Sequence, residues 1–247
     1  MNYLIVGASS GLGRDIAYTF AKNLHNLTLL SRDSRDLAPL KSDLENKFNV
    51  KISINEVDAS SLSDVDKFLK DNISNLNTLD GVLFPIGMMS NSDTINFNDE
   101  TSEKINNANY LSIVHIIENL MPIFETKKEI SIVGFGSMAS ALGRKENIIY
   151  SASKRALNSY FESLSVSVNK KSINIQFYIL GYLDTNLAFD KNLLLPKSST
   201  KQIALKVFKN INKKNLRKYY PIWWGIINYL INIIPFVILK KIVKFIK

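Results

Sequence analysis

Leu4-Ile5-Val6 runs directly into Gly7-Ala8-Ser9-Ser10-Gly11-Leu12-Gly13, and a helical pattern follows from Leu12 to Leu24. An apolar strand that passes through a glycine-rich turn into a helix constrains the fold strongly. The helix crosses back over the sheet, so the next strand to pair runs parallel to the first. The same alternation continues along the chain. Strands are predicted at Asn2 to Val6, Leu27 to Leu30, Lys51 to Val57, Leu79 to Ile86, Glu129 to Phe135 and Ile173 to Leu180. The later helices are predicted at Asp36 to Phe48, Ser61 to Leu76, Ser102 to Phe124 and Ile149 to Asn169. Ser61 is a candidate N-cap, with Asp64 three residues on as a weaker capping partner. Apolar strands alternating with helices imply an α/β class: a three-layer, doubly wound parallel sheet covered on both faces. Such sheets bind ligands beyond the carboxyl ends of their strands. A length of 247 residues suits one domain of this kind with a full core.

Ser137 follows the fifth apolar run, and Tyr150 and Lys154 stand four residues apart in Tyr-Ser-Ala-Ser-Lys on the helix after it. A tyrosine hydroxyl ordinarily titrates near ~10, so it exchanges protons poorly at neutral pH unless a cation stabilises its anion. A lysine at i+4 shares the helix face and supplies that cation. Taken alone, a Tyr-x-x-x-Lys or a glycine turn also arises by chance. Order and spacing separate this chain from chance: the glycine turn first, then Asn109, Ser137, Tyr150 and Lys154, with Ser137 thirteen residues before Tyr150. On these residues the chain resembles the short-chain dehydrogenase/reductase family, of the compact single-domain type, over roughly residues 1 to 190.

The resemblance implies a Rossmann fold and a nicotinamide cofactor. Gly7, Ser9, Ser10, Gly11, Leu12 and Gly13 would form the cofactor turn, its glycines admitting a pyrophosphate to amides at the following helix N-terminus. The spacing Gly-x-x-x-Gly-x-Gly matches this family rather than the Gly-x-Gly-x-x-Gly of other dinucleotide folds. Ser31-Arg32 occupies the end of the second strand, where members selective for NAD carry an acid. Arg32 would attract a 2′-phosphate through its planar guanidinium, so NADP(H) is expected over NAD(H). Arg14 either assists there or is an exposed helix residue. Asp58, with Ala59 beside it, matches the aspartate that contacts the adenine.

The resemblance also assigns the chemistry. Tyr150 would be the general acid in carbonyl reduction and the base in alcohol oxidation. Lys154 would lower the tyrosine pKa and hold the nicotinamide ribose, and Ser137 would orient the substrate oxygen. Asn109, thirteen residues before Pro122, fits the family asparagine that supports a water relay to the lysine, although Asn106 and Asn107 are its neighbours. Two positions depart from the pattern. Phe84-Pro85-Ile86-Gly87 stands in place of Asn-Asn-Ala-Gly, so Gly87 keeps backbone access while the bracing asparagines are replaced. Leu180-Gly181 stands in place of Pro-Gly, followed by Thr185, which would bond the nicotinamide carboxamide.

Composition narrows the alternatives. The chain has no cysteine, which excludes disulfides, thiol catalysis and cysteine metal sites, and the separated His25 and His115 do not make a metal site. His115, in an apolar helical run, reads as a core or interface residue. Residues 1 to 190 hold 18 Lys/Arg against 22 Asp/Glu, whereas residues 191 to 247 hold 13 Lys/Arg and no acid. The 21 residues from Tyr219 to Leu239 carry no charge, include Trp223 and Trp224, and lie between Arg217-Lys218 and Lys240-Lys241. The chain therefore divides into a catalytic domain, 1–214, and an apolar, basic C-terminal helical extension, 215–247.

Length alone would allow that run to span a membrane, but Pro221, Gly225 and Pro235 interrupt it and Asn228 and Asn232 share a helix face. Aromatics beside lysines suit a peripheral, interfacial attachment through 219–247; a buried helix pair forming a lid or dimer contact is the other reading. Charges flanking an apolar stretch do not form the continuous basic face that nucleic acid requires. The tail resembles that of short-chain reductases acting on lipid-linked substrates, among them the polyprenyl-phosphoryl keto-sugar reductase subgroup. A lipid-linked sugar, another apolar carbonyl and a soluble small ketone all remain as substrates. A non-catalytic NADP-binding sensor or scaffold at the membrane is the reading from another class. The chain begins directly on a strand, so the catalytic domain is expected in the cytoplasm, peripheral on the membrane's cytoplasmic face. The resemblance further implies a homodimer or homotetramer through the helices at Ser102 to Phe124 and Ile149 to Asn169.

Overall fold

The computed structural model describes residues 1–94, 99–143, 146–168, 172–184, 196–214 and 216–245. Among these residues seven strands form one parallel sheet in the order β3-β2-β1-β4-β5-β6-β7. They are β1 (Asn2–Val6), β2 (Asn26–Ser31), β3 (Ile52–Glu56), β4 (Gly81–Phe84), β5 (Ile130–Ser137), β6 (Ile173–Leu180) and β7 (Leu216–Tyr220). The order reverses between β1 and β4, which opens a crevice beyond their carboxyl ends.

Helices cover both faces, as the alternation predicts. Residues of one strand alternate between the two cores. Leu4 and Val6 of β1 join Val65 and Phe68 of α3 (Leu62–Asp71), Ile116 and Leu120 of α6 (Ser112–Phe124) and Leu157 and Phe161 of α7 (Ile148–Ser167). Tyr3 and Ile5 face the other way, towards Ile16 and Phe20 of α1 (Gly11–Lys22), Leu40 and Leu44 of α2 (Ser34–Lys47) and Val207 of α8 (Thr200–Asn210). This period-two division of an all-apolar strand is what buries both faces of the sheet.

Several elements differ from their expected form. The helix expected from Ser61 to Leu76 is interrupted at Asn72, whose side chain donates to the Phe68 carbonyl at 3.0 Å, leaving a short α4 (Ile73–Leu76). Ser61 caps α3 as expected, its hydroxyl accepting from the Asp64 amide at 3.3 Å. β4 ends at Phe84, one residue before Pro85, which has no amide to add to the ladder. The long helix expected from Ser102 to Phe124 is α5 (Asp99–Asn106), a π turn (Asn107–Leu111) and α6 in succession.

The largest difference lies in the C-terminal segment. β7 lies beyond residue 214 and is the edge strand of the sheet, paired with β6 from Gln176↔Leu216 to Leu180↔Tyr220. The buried Gln176 side chain donates to the carbonyls of Asn210, Ile211 and Lys213 at 2.5, 2.9 and 2.8 Å, and Ser131 Oγ donates to Ile211 at 2.7 Å. These bonds satisfy the open carbonyl end of α8 and set the turn into β7. After a cis Tyr220–Pro221 bond come α9 (Trp223–Ile233) and α10 (Phe236–Phe245). The uncharged run from Tyr219 to Leu239 is thus shared among a strand and two short helices, and among the described residues no helix is long and apolar enough to cross a membrane.

Candidate active site

The turn after β1 is built by steric necessity. Gly7 and Gly11 adopt φ of 91° and 50°, a region glycine enters without penalty. A Cβ on Gly13 would lie 1.9 Å from the Gly7 carbonyl oxygen, so the helix can start this close to the strand only with glycine there. The Gly7 and Ala8 amides donate to the Leu30 carbonyl at 2.9 and 3.0 Å, which fixes the turn against the end of β2. Ser10 begins α1 without capping it through its side chain, so its hydroxyl does not occupy the first-turn amides. Ser9 is half-buried, Ser10 exposed and Leu12 buried. A close-packed glycine turn leading into the amides of a helix start fits a pyrophosphate.

The other expected cofactor residues cluster round the same crevice. Ser31 is buried at the end of β2 while Arg32 is exposed just beyond it. Asp33, next in the chain, is committed elsewhere: it caps α2 by accepting from the Arg35 amide at 2.9 Å and pairs with the Arg35 side chain at 2.6 Å. That pairing, then the backbone bond and the charges of Arg35 and Arg32, holds its pKa down at about 2. Arg14 is exposed on α1. Asp58 accepts from the amide and hydroxyl of Ser60 at 2.9 and 2.7 Å, and Val57 donates to the Ser31 carbonyl at 2.8 Å, drawing the β3 end beside the β2 end. Ala59 is buried beneath. A Cβ on Gly87 would meet no atom within 4 Å, so space is open beside it. Thr185 lies outside the described residues.

Ser137 closes β5, and its hydroxyl accepts from the Ala139 amide at 3.1 Å, which leaves its proton to donate outward. Tyr150 is half-buried in the first turn of α7, and Lys154 stands one turn on. The Lys154 side chain is buried; its Nζ donates to the carbonyls of Ile86 at 3.0 Å and Phe135 at 3.2 Å. It therefore bridges the ends of β4 and β5, two residues from Ser137. Desolvation lowers its pKa from 10.5 to about 8.

Asn109 lies in the π turn, fully buried. Its side chain makes a reciprocal pair with Met88, accepting from the amide at 2.7 Å and donating to the carbonyl at 2.8 Å, and reaches Ser153 Oγ at 3.3 Å. Ser153 in turn donates to the Tyr150 carbonyl at 2.9 Å. Single π turns recur at functional sites because they re-aim one side chain within a helix. The backbone of residues 86–88 thus braces Lys154 and Asn109.

Sequence reasoning missed two members of this assembly, Asp93 and Ser153, and placed a third, Trp224, only within the C-terminal segment. Asp93 caps α7 from 56 residues away, a separation at which no local capping pattern exists. Ser153 is hidden between the two residues of the Tyr-Lys pair. Trp224 of α9 is buried against Gly181: a Cβ there would lie 1.7 Å from its indole nitrogen, so glycine is what lets α9 close on the end of β6. Tyr182 meets Trp224 edge-on and Trp223 stacks on it at 4.6 Å. His115 sits on α6 and bonds Asp66 of α3, away from this cluster.

Comparison with known proteins agrees with the geometry. A family profile described as short chain dehydrogenase matches residues 2–193. The chain is 26% identical to a hydroxysteroid 11-beta-dehydrogenase 1-like protein of Gallus gallus, covering 90% of this chain and 78% of that protein. It is also 26% identical to a very-long-chain 3-oxoacyl-CoA reductase of Vanderwaltozyma polyspora, covering 98% of this chain and 77% of that one. A short-chain dehydrogenase from Sphingobium yanoikuyae, solved in complex with NADPH, superposes with a TM-score of 0.81 at 20% identity, covering 95% and 96% of the two chains.

Proposed function

The chain belongs to the short-chain dehydrogenase/reductase family, and from that premise we propose that it is an NADP(H)-dependent oxidoreductase reducing a carbonyl, or oxidising the matching alcohol, on an apolar or lipid-linked substrate. The observation that carries the redox reading is the buried Lys154, held by two strand-end carbonyls one helical turn from Tyr150. A buried ammonium with no acidic partner among the described residues is costly and is retained where its charge acts on a neighbour. Bound in the glycine cradle, NADP(H) supplies or accepts the hydride. Ser137 donates a hydrogen bond to the substrate oxygen and stabilises charge that develops on it. Tyr150 gives its phenolic proton to that oxygen in reduction and removes it in oxidation. Lys154 stabilises the phenolate between these steps, and Asn109 with Ser153 holds the tyrosine-bearing turn in place.

The preference for NADP(H) rests on Arg32, exposed at the end of β2 while the neighbouring Asp33 carboxylate is engaged in the α2 cap. Arg32→Asp is expected to weaken NADPH binding roughly tenfold to a hundredfold and to leave NADH binding nearly unchanged, read as nucleotide fluorescence titrated into the full-length protein. Tighter binding of NADH than NADPH by the unaltered protein would refute the assignment.

Support for an apolar substrate comes from α9. Trp224 packs against the end of β6, whose last residue pairs with Ser137, so one face of the helix borders the site. Its other face exposes Ile226 (64%), Leu230 (48%) and Ile233 (59%), a spacing that gathers them on one side. Asn228, read in the sequence as a polar interruption, turns inward and donates to the Tyr219 hydroxyl at 2.9 Å. Arg217, Lys218, Lys240 and Lys241, which bound the uncharged run in the chain, are exposed. Exposed apolar rows rimmed by cations suit an anionic bilayer surface. With Ile226, Leu230 and Ile233 all changed to Glu, partition onto phosphatidylserine-containing vesicles is expected to fall by about tenfold or more, the fold being kept because all three side chains point outward. Equal flotation of the variant and the unaltered protein would remove the membrane from the proposal. The proposed assembly is a homodimer or homotetramer through the outer faces of α6 and α7.

A further inference from the structure

Among the described residues two charged side chains are buried, Lys154 (3%) and Asp93 (1%), and both flank Tyr150. Lys154 follows it by one helical turn. Asp93 grips its backbone: one carboxylate oxygen accepts from the Tyr150 amide at 2.9 Å and the other from the Ile149 amide at 2.8 Å. The Asp93 carbonyl also accepts from the Asn147 amide at 2.8 Å. A single residue thus satisfies three amides at the start of α7, where Asn147, in a left-handed conformation with φ 60°, makes no side-chain cap.

Asp93 also ends a segment that reaches the other members of the site in order. The Ile86 carbonyl accepts from Lys154, Met88 clasps Asn109, and Asp93 holds Tyr150. A helix start needs only a small polar residue at its own N-cap, exposed to water. A fully buried carboxylate brought from a distant loop loses its hydration and exceeds that need. We propose that Asp93 is a positioning residue for the proton transfer: it fixes the first turn of α7 at the height where the Tyr150 hydroxyl meets the substrate oxygen, and its negative charge opposes that of Lys154 across the tyrosine. The inference rests on the reading of Tyr150 and Lys154 as the proton relay.

The two buried charges act on Tyr150 in opposite senses. An anion nearby favours the neutral phenol, a cation the phenolate. Other ionisable groups on the elements packed at this end of α7 are Glu146 before the helix, Arg155 on it, Tyr110 of the π turn, and Glu100, Glu103 and Lys104 of α5. The charged ones among them are exposed to solvent, where water screens them.

The test is a titration of Tyr150 itself in full-length protein carrying 13C at tyrosine Cζ, without cofactor, the resonance being assigned by its loss in Tyr150→Phe. Asp93→Asn and Asp93→Ser, which each keep an oxygen acceptor for the cap, are expected to lower the Tyr150 midpoint by about half a pH unit or more. Lys154→Met is expected to raise it. Should both Asp93 variants melt earlier yet leave the midpoint in place, Asp93 is a structural cap and the proposal is overturned. Should Lys154→Met leave the midpoint in place, the relay reading fails whatever the Asp93 variants do.

Discussion

Tyr150→Phe is expected to lower turnover by about a thousandfold while binding NADPH as tightly as the unaltered protein. The phenylalanine keeps the ring, its packing and the helix, and removes only the atom that carries the proton. The backbone bonds that hold this residue, from its amide to Asp93 and to its carbonyl from Ser153, are untouched by the change. The measurement is NADPH oxidation against long-chain ketones and aldehydes, with nucleotide affinity determined separately by fluorescence. A protein that binds NADPH and turns over none of these carbonyls, with or without the hydroxyl, would behave as a sensor instead. Turnover that survives the substitution would place the proton donor elsewhere.

Lys154→Met is expected to change the pH dependence of stability as well as to abolish turnover. The folded protein lowers the pKa of Lys154 from 10.5 to about 8 through burial. Below that value the unfolded chain and the folded protein both carry the proton, and the folded one bears the full cost of holding the charge out of water. Between the two values the unfolded chain binds more protons, so stability rises with pH. The cost that is relieved is on the order of 3 kcal/mol. Urea unfolding from about pH 7 to about pH 10 should therefore show the unaltered protein gaining on Lys154→Met by an amount of that order. The methionine leaves the Ile86 and Phe135 carbonyls without their donor, a loss of about 1–3 kcal/mol that does not vary with pH, so the slope rather than the offset is diagnostic. A flat difference would mean that the lysine charge is not desolvated.

The same lysine shows what a reader of the chain alone can reach. Tyr150 and Lys154 lie on one helix, so their neighbourhood follows from a helical period that acts within four residues. The glycine turn is legible for the same reason: Gly7, Gly11 and Gly13 are close in the chain and shape one another's backbone. Ser137 could be placed at a strand end because the run before it is apolar. Arg32 could be placed beyond β2 for the same reason, and the engagement of the adjacent Asp33 in the α2 cap emerged only with the structure. The support around these residues was not legible. Phe84-Pro85-Ile86-Gly87 showed that the bracing asparagines are replaced, but not that Ile86 and Met88 hold Lys154 and Asn109 through backbone atoms, which every residue possesses and no composition can reveal.

The C-terminal segment divides along similar lines. Its charge asymmetry and its uncharged run from Tyr219 to Leu239 are properties of composition, and they set the segment apart in the sequence. Composition does not tell a strand edge from a helix, and Leu216–Tyr220 became the seventh strand because β6 offered an open edge and Gln176 held the preceding carbonyls in register. Likewise Trp224 is buried and Ile226 exposed on one uncharged helix, the first packing against Gly181. The sequence by itself determined the parallel α/β architecture, the glycine turn and the order Ser137, Tyr150, Lys154, because periodicity and local spacing act over a few residues. Tertiary structure alone decided that Asp93 should cap α7, that Asn109 should clasp Met88 and that α9 should close on β6. Those contacts join residues remote in the chain, and they form only once the burial of two apolar faces has brought the strand ends together.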